Sequence, residues 1–381
     1  MRIFVSAGEP SGDLHGANLI HSLRRLHPNV EIVGFGGDRM AAAGAELLYP
    51  LCQLSVMWFL RVILNIHLFL DLLSKADRYF KQHRPDAVVL IDYPGFHWWL
   101  ARRAHFHGIP VYYFVPPQLW GWAGWRVEKM RRWVDHVLCA LPFEEAWYRE
   151  RGVAAHYVGH PYFDELAEQP CDAAFIAQQQ ARPEKIVAIL PGSRNQEIHN
   201  NLSTQVRAAA RIHAARPDVR FLMACYKESQ RAHVAAYVRK KNLPIEVHVG
   251  RTPEIIRLAD ACLAVSGSVS LELLYQLKPT VIVYRVSPLD LKVGKFFKTS
   301  RYITLVNLLA DAELYPEFLT DHCEAEGMAN HVLRWLNEPE QHEALRQRLR
   351  EVRDRVAEPG ACDRAAQFVL AALAALARSA A

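Results

Sequence analysis

The chain is poor in the features that mark specialised protein classes. Its seven cysteines, at 52, 139, 171, 225, 262, 323 and 362, lie at least thirty residues apart. That spacing leaves no CxxC pair and no zinc-ligand pattern, and isolated thiols in odd number fit a reducing compartment. Like charges never run to five or six in succession, so neither an acidic tail nor a basic nucleic-acid arm is expected. Nothing repeats at a fixed period, which excludes a solenoid. A Walker lysine loop, HExxH and Asp-x-Asp are all absent, so neither a required metal nor P-loop phosphoryl transfer is expected. No basic n-region or cleavage site precedes the first apolar run, Ile3–Ala7, so a cytoplasmic chain is expected.

What is present suits a two-domain globular protein: 381 residues, 51% apolar and 22% charged. The net charge of +5 fits an anionic small molecule or membrane surface at least as well as nucleic acid. The first 160 residues alternate short apolar runs with helical patterns, predicting strands at Ile3–Ala7, Glu31–Phe35, Ala87–Ile91, Val111–Phe114 and Val134–Ala140. The alternation restarts at Lys185–Leu190, Arg220–Ala224, Glu246–Val249, Ala261–Val265 and Thr280–Tyr284. The expected fold is α/β, with two Rossmann-like, doubly wound parallel-sheet domains over 1–164 and 165–360. Val158–Pro161 and the polar stretch 165–184 read as the linker. The tail reads as two helices, of which the Ala-rich 361–381 would pack back on the first domain or on a partner, a second copy of the chain included.

Eight of nine tryptophans fall within the first 150 residues, and the stretch 47–73 is strongly apolar. Arg61, Asn65, His67 and Asp71 argue against a membrane span. Trp58, Phe59, Ile63 and Phe69 lie away from the polar stripe, as in a helix resting in a membrane interface. A helix buried against the sheet would read the same way.

Five turns at strand ends carry candidate chemistry. Gly8-Glu-Pro-Ser11-Gly12-Asp13 opens a helix and offers unpaired N–H donors to an anion; an ordinary Ser or Asp cap is the alternative. In Ile91-Asp92-Tyr-Pro-Gly-Phe96 the carboxylate sits where α/β sheets bind ligands and could take a proton from a sugar hydroxyl, or merely cap a helix. Val115-Pro-Pro-Gln118-Leu-Trp120-Gly-Trp122 is a rigid aromatic loop suited to acceptor contact. Leu190-Pro-Gly192-Ser193-Arg194 reads as a diphosphate cradle, with backbone donors and a guanidinium fork. Val265-Ser-Gly-Ser268-Val-Ser-Leu-Glu272 would hold phosphate through Ser268 and ribose through Glu272, with Asn307 as a further donor. His15 and His160 stand at candidate cleft edges.

In order, AGEPSGD, LSVM, IDYPGF, PPQLWGW, LPFE, VGHP, LPGSR, SGSVSLE and NLLA…PEFL resemble the signatures of the lipid-A-disaccharide synthases, across nearly the whole chain. The resemblance implies the GT-B architecture, two domains facing across a cleft. It implies inverting, metal-independent transfer, without cofactor, of 2,3-diacylglucosamine from UDP to 2,3-diacylglucosamine 1-phosphate in lipid A biosynthesis. It further implies a peripheral enzyme at the cytoplasmic face of the inner membrane, with the lipid acceptor on the first domain and UDP on the second. Asp92 would then be the base, with Ser11 and Asp13 near the reaction centre. Gly192, Ser193, Arg194, Ser268, Glu272 and Asn307 would hold the nucleotide. Gly12, Gln118, Trp120, Trp122, Trp58, Phe59, Ile63 and Phe69 would meet acceptor or membrane. The chain departs from the usual family pattern at Trp58, Arg61, Gly95 and Val306. The rival readings are another GT-B enzyme, such as a UDP-N-acetylglucosamine 2-epimerase, and a non-catalytic lipid carrier.

Overall fold

Apolar runs of four to seven residues with no polar alternation must be covered on both faces, which is the condition of a parallel sheet between helices. The computed structural model, which describes residues 1–54, 66–288, 291–292 and 300–380, builds two such sheets in two units. The first unit is Met1–Asp164 with Glu358–Ala381, and the second is Glu165–Ala357.

In the first unit the strands are β1 (Arg2–Ala7), β2 (Glu31–Phe35), β3 (Glu46–Tyr49), β4 (Ala87–Ile91), β5 (Val111–Phe114), β6 (His136–Cys139) and β7 (Ala155–Tyr157). They run parallel in the order β3-β2-β1-β4-β5-β6-β7. The second unit holds β8 (Lys185–Leu190), β9 (Val219–Cys225), β10 (Ile245–Val249), β11 (Ala261–Val265), β12 (Thr280–Arg285) and β13 (Glu317–Thr320), also parallel, in the order β10-β9-β8-β11-β12-β13.

The period of two along each strand divides the first core. Phe4 and Leu90 join Phe35, Phe80, Trp98 and Tyr113 on one face, whereas Ile3, Val5, Val89 and Ile91 meet helix Pro10–Leu26 on the other. Three strands absent from the sequence reading, β3, β7 and β13, are edge strands of three or four residues, mostly half-buried; β3 is merged with the apolar stretch 47–73, and β7 and β13 have no apolar run longer than two residues. The stretch read as a polar linker is partly helical, at Tyr162–Glu168 and Ala173–Gln180. The second of these is capped by Asp172, whose carboxylate accepts the Phe175 N–H at 3.0 Å.

Helix Ala361–Ala380 returns to its own first unit. Cys362, Ala365, Ala366, Val369 and Leu373, spaced for one helical face, are buried against β1 and helix Pro10–Leu26. Asp164 fixes its start by accepting the N–H groups of Gly360, Ala361 and Cys362 at 2.7, 3.1 and 2.9 Å. One turn on, Asp363 accepts the Ser22 hydroxyl at 2.5 Å and pairs with Arg25.

Candidate active site

In each sheet the strand order reverses beside its first strand, between β1 and β4 and between β8 and β11. The loops that leave such a pair at their C-terminal ends diverge to opposite faces and open a crevice, the usual ligand seat of this fold class. Ala7 pairs with Ile91, Ile91 with Phe114 and Phe114 with Leu138. The loops at 8–13, 92–95 and 115–122 therefore leave neighbouring strands at one edge. In the second unit Leu190 pairs with Ala264, which brings the turns at 191–194 and 266–268 to the corresponding edge.

At the first reversal Asp92 leaves β4 with φ 48° and Tyr93 follows with φ 50°, two successive left-handed residues without a glycine. This sharp strand-to-helix turn places Asp92 at the C-terminal edge of the sheet. Burial, reinforced by the negative charge of Glu9, pushes its pKa up to about 6. The turn is braced from three sides. Gly8 is so close to the Tyr93 ring that a Cβ there would lie 2.2 Å from it. Tyr113 donates its hydroxyl to the Asp92 carbonyl at 2.7 Å, and His97 Nδ1 donates to the same oxygen at 2.6 Å.

Asp13 makes bonds that its place in the turn does not announce. It is buried, and its carboxylate accepts the N–H groups of Gly37, Arg39 and Met40 at 2.8, 3.1 and 3.1 Å, capping helix Asp38–Ala42. Through these three bonds Asp13 holds the β2 loop against helix Pro10–Leu26. Gly12 is likewise internal, its Cα facing Ala7 and the Ile91 carbonyl, where a Cβ would stand 3.4 and 3.7 Å away. Its place is at the packing of the helix against β1 and β4. Ser11 is exposed in the first turn. His15 and His160 meet edge to face at 6.1 Å, and burial pushes their pKa values down to about 3 and 4, so both are neutral.

The aromatic loop divides in two. Trp120 is anchored: its indole N–H donates to Glu144 at 2.9 Å and its ring meets Phe143 edge to face at 4.9 Å. Glu144 is buried and also accepts the Ala140 and Leu141 N–H groups, both at 3.0 Å. Gln118 and Trp122 are exposed, and Arg126 lies 4.4 Å over the Trp122 ring. Phe69 also turns inward, its ring 5.6 Å from Phe96, while Ile66 and Leu70 on the same helix, Ile66–His83, are 54% and 60% exposed. Trp58, Phe59 and Ile63 lie outside the described residues.

In the second unit the cradle is built otherwise than the sequence suggested. Gly192 takes φ 114°, where a Cβ would stand 2.5 Å from Glu197 Cβ. The N–H groups of Ser193 and Arg194, expected to face a ligand, donate to Glu197 Oε2 at 2.9 and 3.1 Å. Arg194 Nη1 meets Glu197 Oε1 at 3.2 Å, and the Arg194 side chain remains more than half exposed. Glu197 stands three residues into helix Asn195–Ala215, the position from which a carboxylate reaches back to a helix start, and that spacing is the sequence signal for this closure. Ser268 is exposed at the start of helix Val269–Tyr275, beside the open Gly267, and Glu272 is buried. Asn307 is not the ligand donor expected. Its amide donates to the Tyr315 carbonyl and Glu317 at 2.7 and 2.9 Å and accepts the Leu314 and Tyr315 N–H groups at 2.8 and 2.9 Å. All four hydrogen-bonding positions are filled, so it fixes the turn before β13.

Among the described residues, no three His, Cys, Asp or Glu side chains are grouped to hold a metal. The family profile of lipid-A-disaccharide synthetase matches residues 3–372. Similar full-length relatives are lipid-A-disaccharide synthases of Anaeromyxobacter dehalogenans strain 2CP-1, 38% identical over 370 residues, and of Myxococcus xanthus strain DK1622, 37% identical over 371. Both alignments cover 97% of each chain. In fold, the chain is similar to UDP-GlcNAc 2-epimerase of Neisseria meningitidis, with TM-score 0.63, 12% identity and coverage of 98% and 99%. It is equally similar to the calicheamicin glycosyltransferase CalG4, with TM-score 0.63, 17% identity and 99% of both chains covered. The epimerase likeness thus extends to fold alone, and the full-length sequence match decides the family: the chain belongs to the lipid-A-disaccharide synthases, glycosyltransferases of lipid A biosynthesis with the GT-B fold.

Proposed function

We propose that the first unit binds 2,3-diacylglucosamine 1-phosphate at the β1/β4 reversal, that the second binds UDP-2,3-diacylglucosamine at the β8/β11 reversal, and that Asp92 is the base. The acceptor 6-hydroxyl loses its proton to the Asp92 carboxylate and its oxygen attacks the anomeric carbon of the donor. The bond from that carbon to the UDP oxygen breaks, the electron pair leaves with UDP, and the anomeric configuration inverts. The observation that carries this reading is Asp92 itself, placed at the crevice edge by a strained turn, with a carboxyl pKa near 6. A base of that strength is ionised at neutral pH yet holds a proton far better than an ordinary aspartate.

Leaving UDP needs positive charge more than it needs a proton. Arg194 supplies that charge at the cradle from a side chain more than half exposed, with Nη1 on Glu197, and the exposed turn at Ser268 adds backbone donors. Ser193 contributes through its side chain, since Glu197 takes its N–H. Asp13 and Gly12 order the loops at the first reversal, and Asn307 orders the turn before β13.

Exposed Ile66 and Leu70 on one helix, and Trp122 and Trp125 beside Arg126, support peripheral seating on the cytoplasmic face of the inner membrane. Co-flotation with phospholipid vesicles tests this, and a chain left at the bottom of the gradient would refute it. Association of two copies through the last helix is not part of the reading, because that helix spends its apolar face on its own first unit.

The catalytic assignment is tested by Asp92→Asn. Turnover is expected to fall by roughly a hundredfold or more, the general-base contribution, with UDP affinity unchanged. Near-normal turnover would remove Asp92 from the role.

A further inference from the structure

Two consecutive left-handed non-glycine residues do not persist unless their surroundings overdetermine them. At Asp92 and Tyr93 the backbone supplies two longer bonds, from the Asp92 N–H to the Phe114 carbonyl at 3.4 Å and from the His97 N–H to the Tyr93 carbonyl at 3.2 Å. The shorter bonds come from side chains. His97 lies one turn into helix Pro94–Phe106 and is fully buried. Its Nδ1 is 2.6 Å from the Asp92 carbonyl, which can only accept, so Nδ1 carries the proton. Its Nε2 is then the acceptor for the Ser6 hydroxyl at 2.9 Å. Burial pushes the imidazole pKa down to about 3, so the ring stays neutral in this one tautomer across the working range. Ser6 is itself buried in β1, one residue from the end of the strand that borders the reversal. The chain Ser6–His97–Asp92 thus ties β1, the helix and the β4 turn at one point, with Tyr113 of β5 donating to the same carbonyl.

We infer that His97 is a positioning residue for the transfer reaction: by donating from Nδ1 to the Asp92 carbonyl, and being itself oriented by Ser6, it holds the left-handed turn that aims the Asp92 carboxylate at the acceptor hydroxyl. The inference rests on Asp92 being the base. Misplacing a reacting group by about 1 Å can cost on the order of a hundredfold, so releasing the turn is expected to appear in kcat and not in donor binding.

The full-length chain with His97→Leu, His97→Asn and Tyr113→Phe separates this from a packing role. Asparagine places an amide nitrogen where Nδ1 stands and keeps the donor, whereas leucine fills space and removes it. Positioning predicts that His97→Leu loses at least tenfold in kcat, with KM for the UDP-sugar within about twofold. It also predicts that His97→Asn stays within about threefold of the native rate, since the donor is kept. A packing role predicts the opposite order, because leucine preserves the apolar volume and asparagine does not. Tyr113→Phe deletes one hydroxyl with little change of shape and should lower kcat severalfold, which keeps the test alive should His97→Leu fail to fold. In an Asp92→Asn background His97→Leu should cost nothing further. Full turnover by both His97→Leu and Tyr113→Phe, with Asp92→Asn inactive, would overturn the inference alone. Full turnover by Asp92→Asn would instead overturn the base assignment beneath it.

Discussion

A carboxyl group gains strength as a base by losing water, and what it gains in basicity the fold loses in stability. Asp92 carries both effects. Its pKa, raised from 3.8 to about 6 by burial and by Glu9, makes the folded state bind a proton more tightly than the unfolded chain. Folding stability therefore falls as pH rises between those two values. Above pH 6 the native protein keeps an ionised, poorly solvated carboxylate, and Asp92→Asn should raise Tm at pH 7.5 while it abolishes turnover. A melt in which the variant is less stable would contradict this. The same ionisation sets the rate: kcat/KM should climb with pH through about 6 and then level. Removing the neighbouring charge with Glu9→Gln should move that limb to lower pH by a few tenths of a unit; a limb that stays in place would mean that Glu9 does not act on the base. At this scale the sequence showed which residues stand at strand ends and concealed what they bond to. Asp13 and Asn307 look like ligand contacts in one dimension because Asp and Asn at turns are compatible with either role. Only folding brings in the partners: three N–H groups from Gly37 to Met40 for Asp13, and the stretch Leu314 to Glu317, which fills all four positions of Asn307.

The elements meet the site through their ends, and the ends are held by carboxylates. Glu197 closes the start of helix Asn195–Ala215 and, with Gly192 at φ 114°, sets the shape of the donor loop. Gly192→Ala has to displace Glu197 from a 2.5 Å clash and adopt a backbone unsuited to alanine, a cost of about 1–3 kcal/mol. UDP affinity should fall roughly tenfold to a hundredfold, as titration calorimetry would record; unchanged affinity would move the diphosphate elsewhere. Asp164 does the same service for helix Ala361–Ala380, accepting three N–H groups at its start. Asp164→Ala should cost about 1–2 kcal/mol, lowering the Tm of the first unit by several degrees with UDP binding untouched. Central strands were legible because each is a run of buried residues; edge strands such as β3 and β13 were not, since half their side chains meet solvent and their pairing is chosen by the neighbouring strand. Glu197 stands at capping-box spacing, but a Gly-Ser-Arg turn before a helix is equally compatible with a phosphate cradle, so the sequence alone does not separate the two.

As a whole, the molecule is two parallel sheets whose reversals present one set of loops each, with the chain crossing between units near residues 164 and 357. The first unit is completed only by its last 24 residues, which the sequence could place as a helix but not assign to a surface, because an Ala-rich face fits its own sheet or another copy equally well. Acceptor-dependent transfer from UDP-2,3-diacylglucosamine, needing no metal and run by Asp92 as base, is the central claim. It is tested most directly by measuring UDP release from UDP-2,3-diacylglucosamine in mixed micelles containing EDTA, with and without 2,3-diacylglucosamine 1-phosphate. The account predicts release that depends on the acceptor, persists in EDTA and disappears in Asp92→Asn. Release at the same rate without acceptor, or none with it while UDP still binds, would contradict it.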